Sequence, residues 1–394
     1  MNKNFWAGIV GNVCHYYNEA LFGLLAPFIA PTFFPNVSTV YALILTYAIM
    51  PLGLLSRPLG AIVFGFIGDK FGRKKSIFLS LLGMALATMA MGVTSSFVFL
   101  SIAKTLQSFF AAGEITGGAI FVLENFPEKK RSFLSSLYDA SSIFGILFAS
   151  LAVTLLAYFG NVTLQWRYLP FFGVFMIIIG LITRASAEEP QNTSRWENEK
   201  IFEVVKKYSK PLGAIILVSG FSYINYFLAL TLMNGYLPLV STISKTNATN
   251  INTALLTLDM FLLPIFGILA QKFSKERIMM IGIFAGILAY IPLFSILSQA
   301  TLLTSVIVRI IFVLIGVCFA APLHHWTQSL VPAAYKFTIV ALGYTIGAEL
   351  IGTPTLAISV WLFKKTGLVC APALYAVAIA IPTAFVIRKI SSRP

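Results

Sequence analysis

Ionisable side chains lie inside long apolar runs of this sequence. Their types and spacing suit proton exchange and the holding of a charged small molecule. His15 and Glu19 are four residues apart and share one helix face, with Asn18 on the same surface. An imidazole beside a carboxylate exchanges a proton near neutral pH, and the same pair can orient a polar substrate group. Glu114 is flanked by Gly113, Gly117 and Gly118, small residues that let helices approach closely. A carboxylate buried there can carry a proton, or it can be held by a cation such as Arg57 or Lys104. Asp139, Asp259, Arg309 and Glu349 occupy other apolar runs and can form cross-helix pairs. Arg309 can instead take a substrate carboxylate in bidentate fashion. Tyr16, Tyr17, Asn225 and Tyr226 offer faces for a quaternary ammonium or a ring, or simply for packing. A charge at the centre of a bilayer costs at least about 2.5 kcal/mol, so each of these residues is a functional candidate. Arg57, beside Pro58, reads as lying in the cytoplasmic third of its helix, with a gating or structural role. His324 and His325 follow Pro322 near a cytoplasmic helix end and read as interfacial rather than as metal ligands.

The elements that must position these residues are membrane spans. The chain is 58% hydrophobic and only 11% charged, whereas soluble domains carry roughly 25% charged residues. Its 394 residues suffice for about a dozen spans of roughly 20 residues. Twelve helices are expected, near 7–31, 40–66, 76–95, 98–122, 133–159, 167–186, 211–239, 252–271, 278–298, 301–321, 336–361 and 368–388. The fold class is therefore an all-α membrane protein of two six-helix bundles, residues 1–186 and 211–394. A cytoplasmic linker, 187–210, joins them and holds an amphipathic stretch from Ile201 to Val205. No cleavable signal peptide is visible, because the first apolar run continues as a full span with Pro27 and Pro31 near its end.

The net charge of +14 does not point to nucleic acid, because the basic residues alternate between crowded and empty loops. Of 28 lysines and arginines, 21 fall in one set of loops, Arg184 among them. Four fall in the other set (Arg167, Lys245, Lys364 and Lys365), and Arg57, Lys104 and Arg309 lie within spans. This asymmetry sets both termini in the cytoplasm and requires an even number of spans. Cys14, Cys318 and Cys370 each sit in an apolar run without metal or disulfide spacing, and read as small buried hydrophobes. There is no nucleophile elbow, metal cluster or phosphate loop, so neither an enzyme nor an ATP-driven pump is expected, and no cofactor.

Between the second and third spans stands Gly65-Phe66-Ile67-Gly68-Asp69-Lys70-Phe71-Gly72-Arg73-Lys74-Lys75. Its glycines let backbones approach and the chain reverse. Asp69 suits a helix N-terminus or an arginine, and the basic cluster belongs on the cytoplasmic side. A decayed copy, Gly267 to Arg277 with Gln271 in the acidic position, sits between the eighth and ninth spans. A repeat of this period means two related bundles with a site between them near the bilayer midplane.

The pattern G-x3-D-[RK]-x-G-[RK]-[RK] resembles the corresponding loop of major facilitator superfamily transporters. Several stretches resemble its metabolite:proton symporter branch, which includes proline/betaine, citrate, shikimate and α-ketoglutarate carriers. They are Gly11-Asn12 with Tyr16-Tyr17 and Leu21 to Pro27, Leu55 to Ala61, Lys104 to Gln107, Ala112-Gly113-Glu114, Glu124 to Pro127, Trp166 to Phe171, Ala341 to Tyr344, and Ala371 to Tyr375. The likeness spans nearly the whole chain and is looser from 190 to 300. It implies alternating access, in which Asp69 and Arg73, with Arg57 and Lys104, gate the cytoplasmic side. It also implies import of a small polar metabolite (an amino acid, betaine, organic acid or hydroxycarboxylate siderophore) by proton symport. The implied setting is a multi-pass monomer in the bilayer of a bacterial inner membrane, without nucleic-acid partners. Efflux of a drug or secreted metabolite is the alternative, and a non-translocating receptor a remote one. The sequence departs from the branch's acidic-aromatic-aromatic-acidic run, which here reads His15, Tyr16, Tyr17, Asn18 with Glu19 one step on, at the two acidic positions. It departs again at Lys104, where the branch prefers Arg, and at Gln328, where it has Glu. These departures bear on the substrate and the coupling ion.

Overall fold

The structure is a computed structural model that describes residues 3–37, 45–46, 53–189, 196 and 199–391. The expected start of the second span, 40–52, lies almost wholly outside these residues, as does much of the linker. The long helices are α1 (Lys3–Phe33), α2 (Gly53–Phe71), α3 (Arg73–Val93), α4 (Phe97–Glu124), α5 (Glu128–Phe159) and α6 (Tyr168–Ala185). In the second half they are α7 (Ser209–Val240), α8 (Lys245–Phe273), α9 (Lys275–Gln299), α10 (Leu302–Ser329), α11 (Ala333–Thr366) and α12 (Ala371–Ser391). No strand occurs among the described residues. Ten of these helical runs, all but α1 and α2, are long and apolar enough to cross a membrane. Helices are the outcome because a bilayer offers no water to satisfy the backbone, so each span must close its own hydrogen bonds.

Two spans are locally widened. A π-helical stretch, Phe227–Leu232, interrupts α7, and another, Ala348–Gly352, interrupts α11. Such bulges release carbonyls from the regular ladder and recur at functional places.

The chain forms two compact units. One comprises 1–125, 141–204 and 332–342, and the other 126–140, 205–331 and 343–394. Each half of the chain thus lends the start of its fifth helix to the other unit. The two motif copies explain the exchange. In the first unit, Gly65 and Gly68 of α2 leave room for Thr338 and Phe337 at the start of α11. In the second, Gly267 of α8 leaves room for Ser136 near the start of α5. A β-carbon at any of these glycines would overlap the facing residue.

The copies also share a backbone signature. Gly72 turns the chain from α2 into α3 at φ 112°, ψ 145°, and Ser274 turns it from α8 into α9 at φ 90°, ψ 144°. Glycine is at ease there, whereas serine is strained. The decayed copy therefore keeps the turn after losing the residue that suits it.

Candidate functional site

In the first unit, α1 and α2 bring together the charges the sequence singles out near residue 15. His15 is fully buried. Its Nε2 lies 3.3 Å from a Glu19 carboxylate oxygen, and its Nδ1 contacts the Met84 sulfur at 3.2 Å. Tyr16 packs edge-on against the imidazole. The other Glu19 oxygen pairs with Arg57. Glu19 and Arg57 keep 26% and 18% of their side chains exposed. Arg57 lies about 20 Å along α2 from Phe71 at 1.5 Å per residue. Its partner here is Glu19 rather than a residue of the motif loop. Asn18 donates to the carbonyls of Cys14 and Gly173. Lys104 donates to Gln107 at 2.7 Å, Gln107 donates to Thr88, and the ammonium lies over the Phe22 ring. Asn18, Thr88, Gln107 and Trp166 line a small cavity of about 20 Å³, the size for a single water.

Glu114 is paired with neither Arg57 nor Lys104. Both of its oxygens are taken by Arg184, and both side chains are fully buried. Arg184 also donates to the carbonyls of Ile77 and Ala7. This corrects its grouping with the cytoplasmic loop cations. It sits in the last turn of α6, where its length carries the guanidinium back into the bundle.

The motif loop forms a second cluster. The Asp69 carboxylate accepts from the backbone N–H groups of Phe337 (3.0 Å) and Thr338 (2.8 Å) at the start of α11. It also binds Arg73. Arg73 reaches Glu124 at 3.1 Å and the Ala333 carbonyl at 2.6 Å, and Lys336 meets Glu124 at 3.0 Å. Phe337 is received by Gly68 and Gly117. The linker joins in. Glu189 accepts from the N–H groups of Arg73 and Lys74, capping α3. Trp196 donates to the Asp69 carbonyl and packs its ring between Phe66 and Tyr335.

In the second unit, Asp139 of α5 meets His324 of α10 at 3.0 Å. His324 is buried at 2% exposure and lies near the end of α10. His325 is buried too and contacts Ser132 at 2.8 Å. Asp259 of α8 lies within electrostatic reach of Asp139, and Tyr226 of α7 within reach of Asp259. Asn225 accepts from the Tyr290 hydroxyl. Arg309 is not in a carboxylate pair. It donates to the carbonyls of Ala229, Leu230 and Ala248 and to the Asn252 amide oxygen. Two of those carbonyls belong to the α7 π-helix, so the guanidinium satisfies acceptors that the bulge leaves open. Glu349 sits in the π-helix of α11 and accepts from Thr353. Cys14 and Cys318 are buried as expected, but Cys370, just before α12, is only partly so. Among the described residues no cluster of His, Cys, Asp and Glu could hold a metal.

Residues 8–353 match the Major Facilitator Superfamily. The chain belongs to this family. Membership makes it a membrane transporter and not an enzyme. It is 26% identical to the proline/betaine transporter of Escherichia coli, covering 100% of this chain and 85% of that protein. It is 28% identical to a putative proline/betaine transporter of Staphylococcus haemolyticus, covering 96% and 85%. With a glycine betaine/proline/ectoine/pipecolic acid transporter of Dickeya dadantii it shares 27% identity over 97% of this chain and 81% of that one. The solved proton:xylose symporter XylE has the same fold, with a TM-score of 0.75 at 14% identity over 98% of this chain and 95% of that one. The superfamily's motif loop is legible in sequence, but three members of the charge clusters are not. Arg184 reads as a loop residue and Trp196 as a linker residue. His324 is visible only as a histidine after a proline.

Proposed function

We propose that the chain is a secondary active transporter that imports a small zwitterionic metabolite of the betaine or proline class by proton symport and alternating access. The observation that carries this reading is the Glu19–Arg57 pair beside His15. It offers a carboxylate and a guanidinium, both partly exposed, inside otherwise apolar spans. A zwitterion can exchange with such a pair group for group, its cation to Glu19 and its carboxylate to Arg57. The names of the curated relatives support the same substrate class.

In this proposal α1 and α2 also cross the membrane, giving twelve spans in two bundles, 1–186 and 211–394. The linker and both termini are cytoplasmic, in a bacterial inner membrane, and the protein works as a monomer without a cofactor. Asp69 and Arg73 hold the cytoplasmic gate through the start of α11. Lys104 tunes the field around Arg57, and the charges near Asp139 serve the proton. Glu114 belongs to the scaffold rather than to the proton path.

The test is uptake of labelled glycine betaine and proline into proteoliposomes. An acid exterior should drive accumulation of at least one of them. Glu19→Gln should abolish it while the protein remains folded. Indifference to the pH gradient would remove symport, and transport only out of loaded vesicles would replace import with efflux.

A further inference from the structure

We propose that His324 carries the coupled proton, on its ring Nδ1, with Asp139 holding the opposite ring nitrogen. The inference rests on the symport reading above and assigns the proton to a residue of the second unit.

The imidazole is fixed on several sides. Its Nε2 lies 3.0 Å from an Asp139 oxygen, and its backbone N–H donates to the Ser135 hydroxyl at 3.2 Å. Its ring stacks on Tyr344, with centroids 5.4 Å apart and an interplanar angle of 17°. Tyr138 meets it edge-on at 5.5 Å. A carboxylate can only accept, so the neutral ring must place its hydrogen on Nε2 and its lone pair on Nδ1. That Nδ1 is buried and has no hydrogen-bond partner among the described residues. The second Asp139 oxygen is in the same position. Both atoms are therefore open to a donor.

The surrounding charges bear on what that donor is. Asp139 comes from α5, Asp259 from α8, Tyr226 from α7, and Tyr344 from α11. His325, next in the chain, faces Ser132 and Glu128. Asp139 thus faces the imidazole directly, and Asp259 stands within electrostatic reach of Asp139. A proton arriving on Nδ1 makes an imidazolium beside Asp139 and lowers the unbalanced negative charge. The step is a simple transfer. Water on the outer side gives up the proton to the Nδ1 lone pair, and the same N–H bond breaks to water on the inner side. No other bond changes.

The chain has only three histidines, so 15N-histidine NMR of the full-length protein in detergent can resolve each one. One resonance pair, absent in His324→Gln, should pass from unprotonated to protonated Nδ1 as the pH is lowered. In Asp139→Asn that transition should be displaced. An Nδ1 that stays unprotonated throughout, or a transition untouched by Asp139→Asn, overturns the proposal. In proteoliposomes, His324→Gln should keep proline counterflow and lose proton-driven accumulation by at least about tenfold. Accumulation at the wild-type level overturns the proposal even if the ring titrates. If the wild type itself shows counterflow without proton-driven accumulation, the symport reading falls, and the NMR titration still decides whether the ring takes a proton at Nδ1. Asp139→Asn supplies the same transport comparison should His324→Gln fail to fold.

Discussion

At the scale of single residues, burial and geometry divide the intramembrane charges by role. Glu114 and Arg184 are both fully buried and joined by two parallel hydrogen bonds, and Arg184 spends further donors on backbone carbonyls. That leaves no face for a substrate. Glu114→Gln should therefore act on folding. It strands a guanidinium in an apolar interior, a change that costs about 3–5 kcal/mol. Thermal unfolding in detergent should show a large drop, and adding Arg184→Met should restore part of it. A Glu114→Gln protein of normal stability that has lost only its proton coupling would return Glu114 to the transport path. Glu19 and Arg57 are the opposite case, because both side chains are only partly buried. Arg309 falls with the structural group. A cation that satisfies four oxygens of its own chain is held by the bulge in α7 and is not waiting for a ligand.

At the scale of elements, the two turns that end α2 and α8 show what the repeat has kept. Gly72 and Ser274 have nearly the same backbone angles, although only the first is a residue suited to them. A non-glycine residue in such a region carries of order 1–3 kcal/mol of strain. Ser274 recovers part of that, because its hydroxyl accepts from the Arg277 N–H at 3.3 Å and caps α9. Replacing a serine cap by glycine forfeits only a few tenths of a kcal/mol. Ser274→Gly should thus stabilise the protein by about 1 kcal/mol. A melting curve of the purified variant measures it, and a lowered midpoint would show that the cap outweighs the strain. The helices themselves are legible in the sequence because apolar length and loop charge are local signals. The motif loop is legible because Asp69 and its glycines are few and closely spaced. The partners are not. Arg184 acts one turn inside the span whose end it marks, and Arg309 answers to a π-helix that no local pattern announces. His324 meets Asp139 across 185 positions of sequence.

At the scale of the whole molecule, the crowding of basic residues into alternate loops, 20 of 28 once Arg184 is set aside, gives an expected orientation. The protein already contains the probe that tests it. Cys14 and Cys318 are buried, while Cys370 is free and partly exposed, in the short connection between α11 and α12. Lys364 and Lys365 at the end of α11 fall in the sparsely charged set of loops, so the expected orientation puts this connection on the outer face. A membrane-impermeant maleimide should label the native protein in right-side-out spheroplasts, and Cys370→Ser should remove that labelling. Inverted membrane vesicles should stay unlabelled until they are opened. The reverse pattern would turn the whole chain over and place the Asp69 cluster outside. That would be incompatible with a cytoplasmic gate. Labelling from outside would instead put α12 on an inward course, with Arg388 and Lys389 at its cytoplasmic end. This is the orientation in which an acid exterior meets the outer ends of the spans that carry Glu19 and His324.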